Sequence, residues 1–213
     1  LGIRDIRVAV RRLRHFARTG TPDEFDLNGT ISATANNGGY LDVKMMPERK
    51  NRVKLLLFLD VGGSMDPYIQ ACEELFSASK SEFKDLEHFY FHNCPYEILW
   101  KNNPRSSEDI ISTWDIIRKY GSDYRVLFVG DASMSPYEVA YAGGSIEHWN
   151  EEAGSVWLER ITSHFDSVAW LNPETKKIWN SSASNKMIRE IFEEKMYEMN
   201  LSGIEEAMKA LSR

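Results

Sequence analysis

The sequence predicts an α/β fold, in which a three-layer, doubly wound and mainly parallel sheet carries an appended N-terminal helix and β-hairpin. Apolar runs such as "LLLFL" (55–59) and "RVLFV" (125–129) have the length and composition of strands buried on both faces. Stretches with helical spacing of apolar residues separate these runs, which is the order that parallel strands require. With 213 residues and 42% hydrophobic content, the chain is long enough to bury one such core.

Residues 1–52 are predicted to precede the main domain. "IRDIRVAVRRLRHFAR" (3–18) places apolar residues at helical spacing among arginines, which predicts an amphipathic basic helix. Such a helix either packs its apolar stripe on the domain or binds an acidic surface. Residues 29–46 join β-prone stretches through Asn and Gly residues that accept positive φ angles, which predicts a β-hairpin. The polar segment "PERKNR" (47–52) is then a connector.

The main domain is predicted to cover residues 53–213. It begins with a strand over 53–59 and a helix over 68–83. No low-complexity linker follows, which favours a single domain to the end of the chain. The further elements are predicted as strands 87–91, 96–100, 125–129 and 167–171 and helices 113–120, 149–165, 185–199 and 204–211.

Two of the predicted strands end in an aspartate. "LLLFLD" ends in Asp60 and "RVLFVGD" ends in Asp131, while Ser64 follows the first strand and Thr113 stands where a helix begins. Ligand sites of open α/β sheets lie beyond the carboxyl ends of the strands, so the four side chains converge if the two strands are neighbours. Two carboxylates and two hydroxyls are hard oxygen donors suited to Mg²⁺ or Mn²⁺. The alternative roles are helix caps for the hydroxyls and turn formation for the aspartates.

Composition narrows the range of partners and compartments. A formal net charge of -6 argues against a nucleic-acid backbone as a general partner. No apolar run approaches the roughly 18 residues that a membrane span needs, so no membrane span is expected. Cys72 and Cys94 form no paired motif, which favours a reducing compartment, and the cytoplasm is the expected location.

A hydrolase with Ser64 as its nucleophile is the enzyme that the sequence leaves open. The Gly-x-Ser-x-Gly elbow typical of such enzymes is missing around Ser64. The later histidines, His148 and His164, lie in or next to a predicted helix. A receiver domain phosphorylated on Asp60 fits less well, because its late strand would end in a lysine and this chain has "WLNP" there.

A zinc site is a further alternative on one predicted strand. His88, His92 and Cys94 share the same strand face. Same-face neighbours on a strand lie roughly 6.6 Å apart, which is too far for a compact tetrahedron unless the strand end curls. Buried strand residues with hydrogen-bonded imidazoles are the simpler expectation.

Sequence blocks along nearly the whole chain carry a family resemblance. They are "NGTISATANNGGYLD" (28–42), "LLLFLDVGGSMDPY" (55–68), "FYFHNCPYE" (89–97), "ISTWDIIRKYG" (111–121), "YRVLFVGDASMSPYE" (124–138), "WNEEAGSVWLERI" (149–161) and "WLNP" (170–173). In this order the blocks resemble von Willebrand factor A (VWA) domains, and more narrowly the CoxE-like group of prokaryotic VWA proteins. The resemblance implies a VWA or Rossmann-like fold with a metal-ion-dependent adhesion site.

The resemblance also implies which residues hold the metal ion. The first loop of such a site has the form Asp-x-Ser-x-Ser, a threonine comes from a second loop and an aspartate from a third. Asp60 and Ser64 match the first loop, Thr113 the second and Asp131 the third. The middle serine is Gly62 here, so one hydroxyl is missing. The implied site is therefore either completed by water or weakened, and a degenerate site would leave a metal-independent scaffold.

By resemblance, the chain is expected to bind a protein partner without catalysis of its own. The bound cation would hold an acidic side chain of that partner. CoxE-like proteins look like partners of MoxR-type AAA+ ATPases, with which they act in enzyme maturation or metal insertion, so such an ATPase or its client is the expected partner. Trp149, in "YAGGSIEHWNEE", is the candidate anchor for the partner if its loop lies near the metal site.

Overall fold

A seven-stranded sheet forms the centre of the chain in a computed structural model that describes residues 2–16, 24–46, 53–145 and 149–212. A separate two-stranded antiparallel ladder lies in the N-terminal part. The strands in chain order are β1 (Glu24–Phe25), β2 (Met45–Met46), β3 (Lys54–Asp60), β4 (Asp85–Phe91), β5 (Ile98–Trp100), β6 (Ile110–Ser112), β7 (Arg125–Val129), β8 (Ser167–Asn172) and β9 (Met196–Glu198).

Helices cover both faces of the large sheet, which gives the three layers that the sequence predicts. Among the described residues they are α1 (Ile3–Phe16), α2 (Leu27–Asn36), α3 (Ile69–Glu82), α4 (Thr113–Lys119), α5 (Pro136–Ala140), α6 (Gly154–His164), α7 (Lys176–Trp179), α8 (Ala183–Ile191) and α9 (Leu201–Leu211). None of these helices combines the length and apolar character that a membrane crossing requires.

The strand order of the large sheet is β6-β5-β4-β3-β7-β8-β9. Only β5 runs against its neighbours, so the prediction of a mainly parallel sheet is confirmed. β3 lies at the centre and pairs in parallel with β4 on one side and β7 on the other. The two strands that lead to Asp60 and Asp131 are therefore neighbours, as the predicted convergence at one edge requires.

Alternation along the central strands separates two cores. Leu55, Leu57 and Leu59 face an aliphatic core, whereas Leu56 and Phe58 face an aromatic one. The aliphatic core is covered by α1, α3 and α9. The aromatic core also contains these buried rings: Phe89, Phe91, Phe128, Trp157, Trp170 and Trp179.

The basic helix α1 packs on the domain, which favours the first of its two predicted roles. Its buried residues Ile6, Val10 and Leu13 join the aliphatic core. On its outer side, Arg11 forms an ion pair with Glu82 of α3 at 2.8 Å. The predicted connector 47–52 lies outside the described residues, and the domain boundary at residue 53 stays a prediction.

The β-hairpin predicted over residues 29–46 is wrong, because residues 29–36 belong to the helix α2. Asp26 caps this helix, and its Oδ1 accepts a hydrogen bond from the Gly29 N–H at 2.8 Å. The turn at Gly38 and Gly39 does have positive φ angles, of 62° and 87°, but it follows a helix. β1 and β2 pair antiparallel on either side of α2. An N-cap and its first turn thus outweighed the β-propensity of the sequence.

Further elements differ from the prediction, and the short helices α5 and α7 were not predicted. The helix predicted over 185–199 ends at Ile191, because Glu193 and Glu194 adopt positive φ angles of 51° and 63°, and the chain then forms β9. The helix predicted over 149–165 begins only at Gly154. The short strand β6 was not predicted, since three residues carry too little pattern to be recognised.

Candidate metal site

The side chain of Asp60, at the end of β3, has one oxygen in use and one free. It is buried, with 5% of its surface exposed. Its Oδ1 accepts hydrogen bonds from the backbone N–H groups of Gly62 and Asn93, both at 2.9 Å. Its Oδ2 is buried and has no hydrogen-bond partner among the described residues. A buried carboxylate oxygen without a donor is unfavourable, so this atom favours a proton or a cation beside it.

Burial raises the pKa of Asp60 from 3.8 to about 7, because the charged form loses its hydration. The two backbone N–H donors oppose this rise, and the negative charges of Asp131 and Glu138 add to it. Both of these carboxylates therefore lie within electrostatic reach of Asp60. A positive charge at the free oxygen would stabilise the ionised form and reverse the shift.

Asp131 lies just beyond β7 and is held by a strained and well-supported turn. It is 2% exposed, and its Oδ1 accepts a hydrogen bond from the Ser133 N–H at 2.8 Å. Between them, Ala132 has a φ of 55°, a conformation that residues with a Cβ rarely adopt. Asn172 donates to the Asp131 carbonyl at 2.8 Å, and Ser184 donates to the Ala132 carbonyl at 2.7 Å. Residues on β8 and α8 thus fix the position of Asp131.

Two glutamates lie near the strand-end aspartates. Glu138 on α5 is 1% exposed, and Asn93 Nδ2 donates to both of its oxygens at 3.3 Å. Glu174 Oε2 accepts a hydrogen bond from Ser133 Oγ at 3.4 Å. We refer to Asp60, Asp131, Glu138 and Glu174 as the acidic edge. Within the described ranges, none of these four carboxylates forms an ion pair with a lysine or arginine.

Gly62 stands where the resemblance implies a serine, and its backbone does not require glycine. Its φ of -59° and ψ of 153° are open to any residue. The space around it is not open, because a Cβ built on Gly62 would overlap Asn93 Oδ1 and lie 3.3 Å from Asp60 Oδ1. Asn93 has a φ of 58°, which asparagine tolerates better than most residues. The amide of Asn93 fills the space that a serine side chain would take.

The two predicted hydroxyl ligands are placed differently from each other. Ser64 is exposed on a 3₁₀ turn after β3, and its hydroxyl has no hydrogen-bond partner among the described residues. Thr113 is fully buried, and its hydroxyl donates to the carbonyl of Tyr96. Thr113 is also not the cap of α4, since Ser112 accepts the hydrogen bond from the Trp114 N–H at 3.2 Å. In the described part of the chain, no hydrogen bond joins Ser64 or Thr113 to either aspartate.

Trp149 is exposed and lies over the backbone of Gly143. It is 78% exposed, and a Cβ on Gly143 would lie 2.5 Å from its ring. The backbone of the next residue, Gly144, packs against the carbonyl of Tyr137 on α5, the helix that contributes one acidic-edge glutamate. Tyr137 and Tyr141 are exposed too, and their ring centroids are 5.4 Å apart. The role of Trp149 in partner binding stays a prediction.

The residues of the alternative zinc site do not form a cluster. Over the described ranges, no three His, Cys, Asp or Glu side chains are placed together in a way that could hold a metal ion. His88 packs on the ring of Phe76 with centroids 4.8 Å apart, and Cys94 is buried against Gly154. Burial lowers the pKa of His88, which fits a neutral imidazole in a packed position.

The geometry around Ser64 provides no hydrolytic dyad among the described residues. His164 Nε2 hydrogen-bonds the carbonyl of Tyr120 at 2.8 Å, at the end of α6. His148, the other histidine weighed for this role, lies outside the described residues. Among the described residues, Ser64 therefore has no adjacent histidine of the kind that activates a serine nucleophile.

The acidic edge fits a divalent cation of the kind that the sequence predicts. Its donors are oxygens, which Mg²⁺ and Mn²⁺ prefer. In the part of the chain that the structure describes, Asp60 Oδ2 has no hydrogen-bond partner and the surrounding carboxylates form no ion pair with a lysine or arginine. A cavity of about 260 Å³ borders Asp60 and Gly62 on the side of α3, where Asp66 and Glu73 also line it. Because three carboxylates do not converge on one point, an ion here would use two carboxylates and neutral oxygens.

Comparison with protein families agrees with this architecture. The family model for "VWA domain containing CoxE-like protein" matches residues 2–97, somewhat less than half of the chain. Over these residues the chain is similar to CoxE-like VWA proteins. The matched residues include Asp60 and Ser64, whereas Thr113 and Asp131 lie beyond them. The large sheet also continues past the match, since β7 pairs with β3. Searches of curated proteins and of solved structures gave no match.

Three residues in or beside the acidic edge were missed in the sequence, namely Asn93, Glu138 and Glu174. Asn93 follows β4, the other neighbour of β3, so the rule that identified Asp60 also applied to it. Its place in "HNCP" suggested a turn, which hid that signal. Glu138 closes the block "GDASMSPYE", but its burial comes from packing that the sequence does not show.

Proposed function

We propose that this protein binds a divalent cation at the acidic edge and uses it to hold an acidic side chain of a protein partner. The observation that carries the proposal is the buried Asp60 Oδ2, which has no donor and lies near a second buried carboxylate, Asp131. Asp60 and Asp131 would hold the ion, and Ser64 and Thr113 would complete the set. A bound Mg²⁺ or Mn²⁺ would supply an electrophilic position that a carboxylate can occupy.

The residues of the chain prepare this edge in advance. Two backbone N–H groups hold Asp60 Oδ1, which leaves Oδ2 as the unoccupied oxygen. The turn at Ala132, supported by Asn172, holds Asp131 beyond the neighbouring strand. Donors that are already oriented lose little entropy on binding, so this arrangement supports a specific site.

For the partner, we infer a MoxR-type AAA+ ATPase or its client, in enzyme maturation or metal insertion. The match of residues 2–97 to the CoxE-like family model supports this inference. The exposed rings of Trp149, Tyr137 and Tyr141 support protein binding, because exposed aromatic residues commonly anchor interfaces. Since Ser64 has no base beside it among the described residues, we infer binding rather than catalysis.

Calorimetric titration with Mn²⁺ and Mg²⁺ tests the cation site. We expect one saturable site in the unmodified protein and a loss of affinity of roughly 100-fold or more in Asp131→Ala, because even indirect partners of a metal contribute 10- to 100-fold. Asp166→Ala is the matched control, since Asp166 is an exposed aspartate that precedes β8 at the opposite edge of the sheet. Equal heats from the unmodified protein and Asp131→Ala would contradict the proposal.

A further inference from the structure

Gly62 and Asn93 form a coupled pair beside Asp60. The φ of -59° at Gly62 suits any amino acid, so the backbone gives no reason for a glycine in place of the serine of the family pattern. The reason is spatial, because the Asn93 amide oxygen lies where a Cβ at residue 62 would stand. A serine at residue 62 would therefore require the Asn93 side chain to move from its present position.

The orientation of the Asn93 amide is fixed by its neighbour Glu138. Carboxylate oxygens only accept hydrogen bonds, so the NH₂ group faces Glu138, at 3.3 Å from both oxygens. Asn93 Oδ1 must then face Gly62, and within the described ranges it accepts no hydrogen bond. The backbone N–H of the same residue donates to Asp60 Oδ1 at 2.9 Å. Asn93 thus both orients Asp60 and presents a free neutral oxygen beside it.

We propose that Asn93 Oδ1 is a direct ligand of the cation and replaces the serine hydroxyl that Gly62 lacks. The inference rests on the proposed cation binding and deepens it. Amide oxygens are ordinary ligands of hard divalent cations, and an amide is neutral like the hydroxyl that it replaces. The charge of the donor set is therefore the same as with serine. If Asn93 supplies this ligand, Gly62 in the first loop does not make the site degenerate, because the serine ligand has been exchanged for an asparagine ligand from another loop.

Asn93→Gly is the variant that tests the ligand. Glycine keeps the positive φ and the backbone N–H to Asp60, so only the amide is removed. We expect the affinity for Mn²⁺, measured from the paramagnetic resonance signal of the free ion, to fall by about 10-fold or more. Glu193→Gly is the matched control: it has a positive φ of 51°, precedes β9 at the opposite edge and leaves the Mn²⁺ affinity unchanged.

The exchange variant distinguishes a ligand from a structural residue. Gly62→Ser alone weakens Mn²⁺ binding, because its Cβ overlaps the Asn93 amide. The double variant Gly62→Ser with Asn93→Gly recovers affinity to within about 3-fold of the unmodified protein, since neighbouring substitutions are not additive. Unmodified protein labelled with ¹³C-asparagine provides a second measurement that needs no variant. Hyperfine coupling between bound Mn²⁺ and a labelled amide carbon is expected.

The outcomes separate this inference from the proposed function. If Asn93→Gly binds Mn²⁺ as tightly as the unmodified protein, or if the labelled protein shows no coupling, Asn93 is not a ligand and cation binding itself stands. A weakened Asn93→Gly without recovery in the double variant gives Asn93 a structural role and also overturns the inference. Failure of the unmodified protein to bind Mn²⁺ overturns both.

Discussion

Asp60 at the end of β3 and Thr113 at the start of α4 are both buried polar groups, but their hydrogen-bonding capacity is used differently. Asp60 has one oxygen with two donors and one with none among the described residues. The hydroxyl of Thr113 already donates to the carbonyl of Tyr96, whose own hydroxyl donates to the Glu138 carbonyl at 3.1 Å. Asp60 therefore needs a ligand to be satisfied, whereas Thr113 is satisfied without one.

Asp60→Asn is expected to give the largest effect on stability. In the absence of metal, the folded chain binds the proton of Asp60 more tightly than the unfolded chain, because burial raises the pKa from 3.8 to about 7. The stability that this proton contributes is complete below pH 4 and is lost as the pH rises through 7, by about 4 kcal/mol in total. Asparagine keeps an acceptor for both N–H groups and removes this loss. Urea unfolding at pH 5 and pH 8 with a chelator measures the part of this loss that falls between the two pH values, about 2.7 kcal/mol.

The same variant is expected to lose Mn²⁺ binding, so that gain of stability and loss of affinity occur together. Asp166→Asn is the control and keeps the pH dependence of the unmodified protein. An Asp60→Asn variant that is less stable than the unmodified protein at pH 8 would show that Asp60 is not strained in the absence of metal.

Thr113→Val is expected to give a smaller loss, of about 1 to 3 kcal/mol, in the free energy of unfolding. The reason is that the buried Tyr96 carbonyl would lose its donor. Thr113→Ser keeps the hydroxyl and serves as the control in the same urea titration. The Thr113 hydroxyl already has a hydrogen-bond partner without an ion. The Mn²⁺ affinity of the Thr113→Val variant should therefore fall less than that of the Asp60→Asn variant. An equal loss in both variants would remove the distinction between the two residues.

Trp149→Ala is expected to have the smallest effect on stability, within about 0.5 kcal/mol, because the side chain is largely exposed. Mn²⁺ affinity should stay unchanged, while retention of a purified MoxR-type ATPase on the immobilised protein should fall. Tyr40→Ala, another exposed aromatic residue outside the acidic edge, is the control. Retention that survives both a chelator and Trp149→Ala would favour a metal-independent scaffold with a different contact surface.

The sequence predicts which strands meet but not how their end residues are oriented. The runs before Asp60 and Asp131 are uniformly apolar, so their burial and parallel pairing could be expected. The direction of the Thr113 hydroxyl depends on Tyr96, which belongs to another loop. The space at Gly62 depends on Asn93, 31 positions further along the chain. Such contacts are made between loops, and no local pattern encodes them.

In the N-terminal part, the sequence-based prediction failed for a different reason, because two local signals, a helix cap and β-prone side chains, indicate different structures. Residues 29–46 have β-prone side chains, yet the cap at Asp26 starts a helix before them. Thr30 then accepts a hydrogen bond from the Lys44 N–H at 2.8 Å, which ties the following segment back to the helix. A propensity of a few tenths of a kcal/mol per residue does not outweigh such a set of contacts.

The docking of α1 determines how much of the chain can be treated as an independent folding unit. Ile6, Val10 and Leu13 cover the leucine face of β3 together with α3 and α9. A protein trimmed to begin at residue 53 would expose that face to water, and exposed apolar faces of this kind drive aggregation. Any recombinant fragment meant to report on the acidic edge should therefore retain the arginine-rich helix, although it lies far from Asp60 in the sequence.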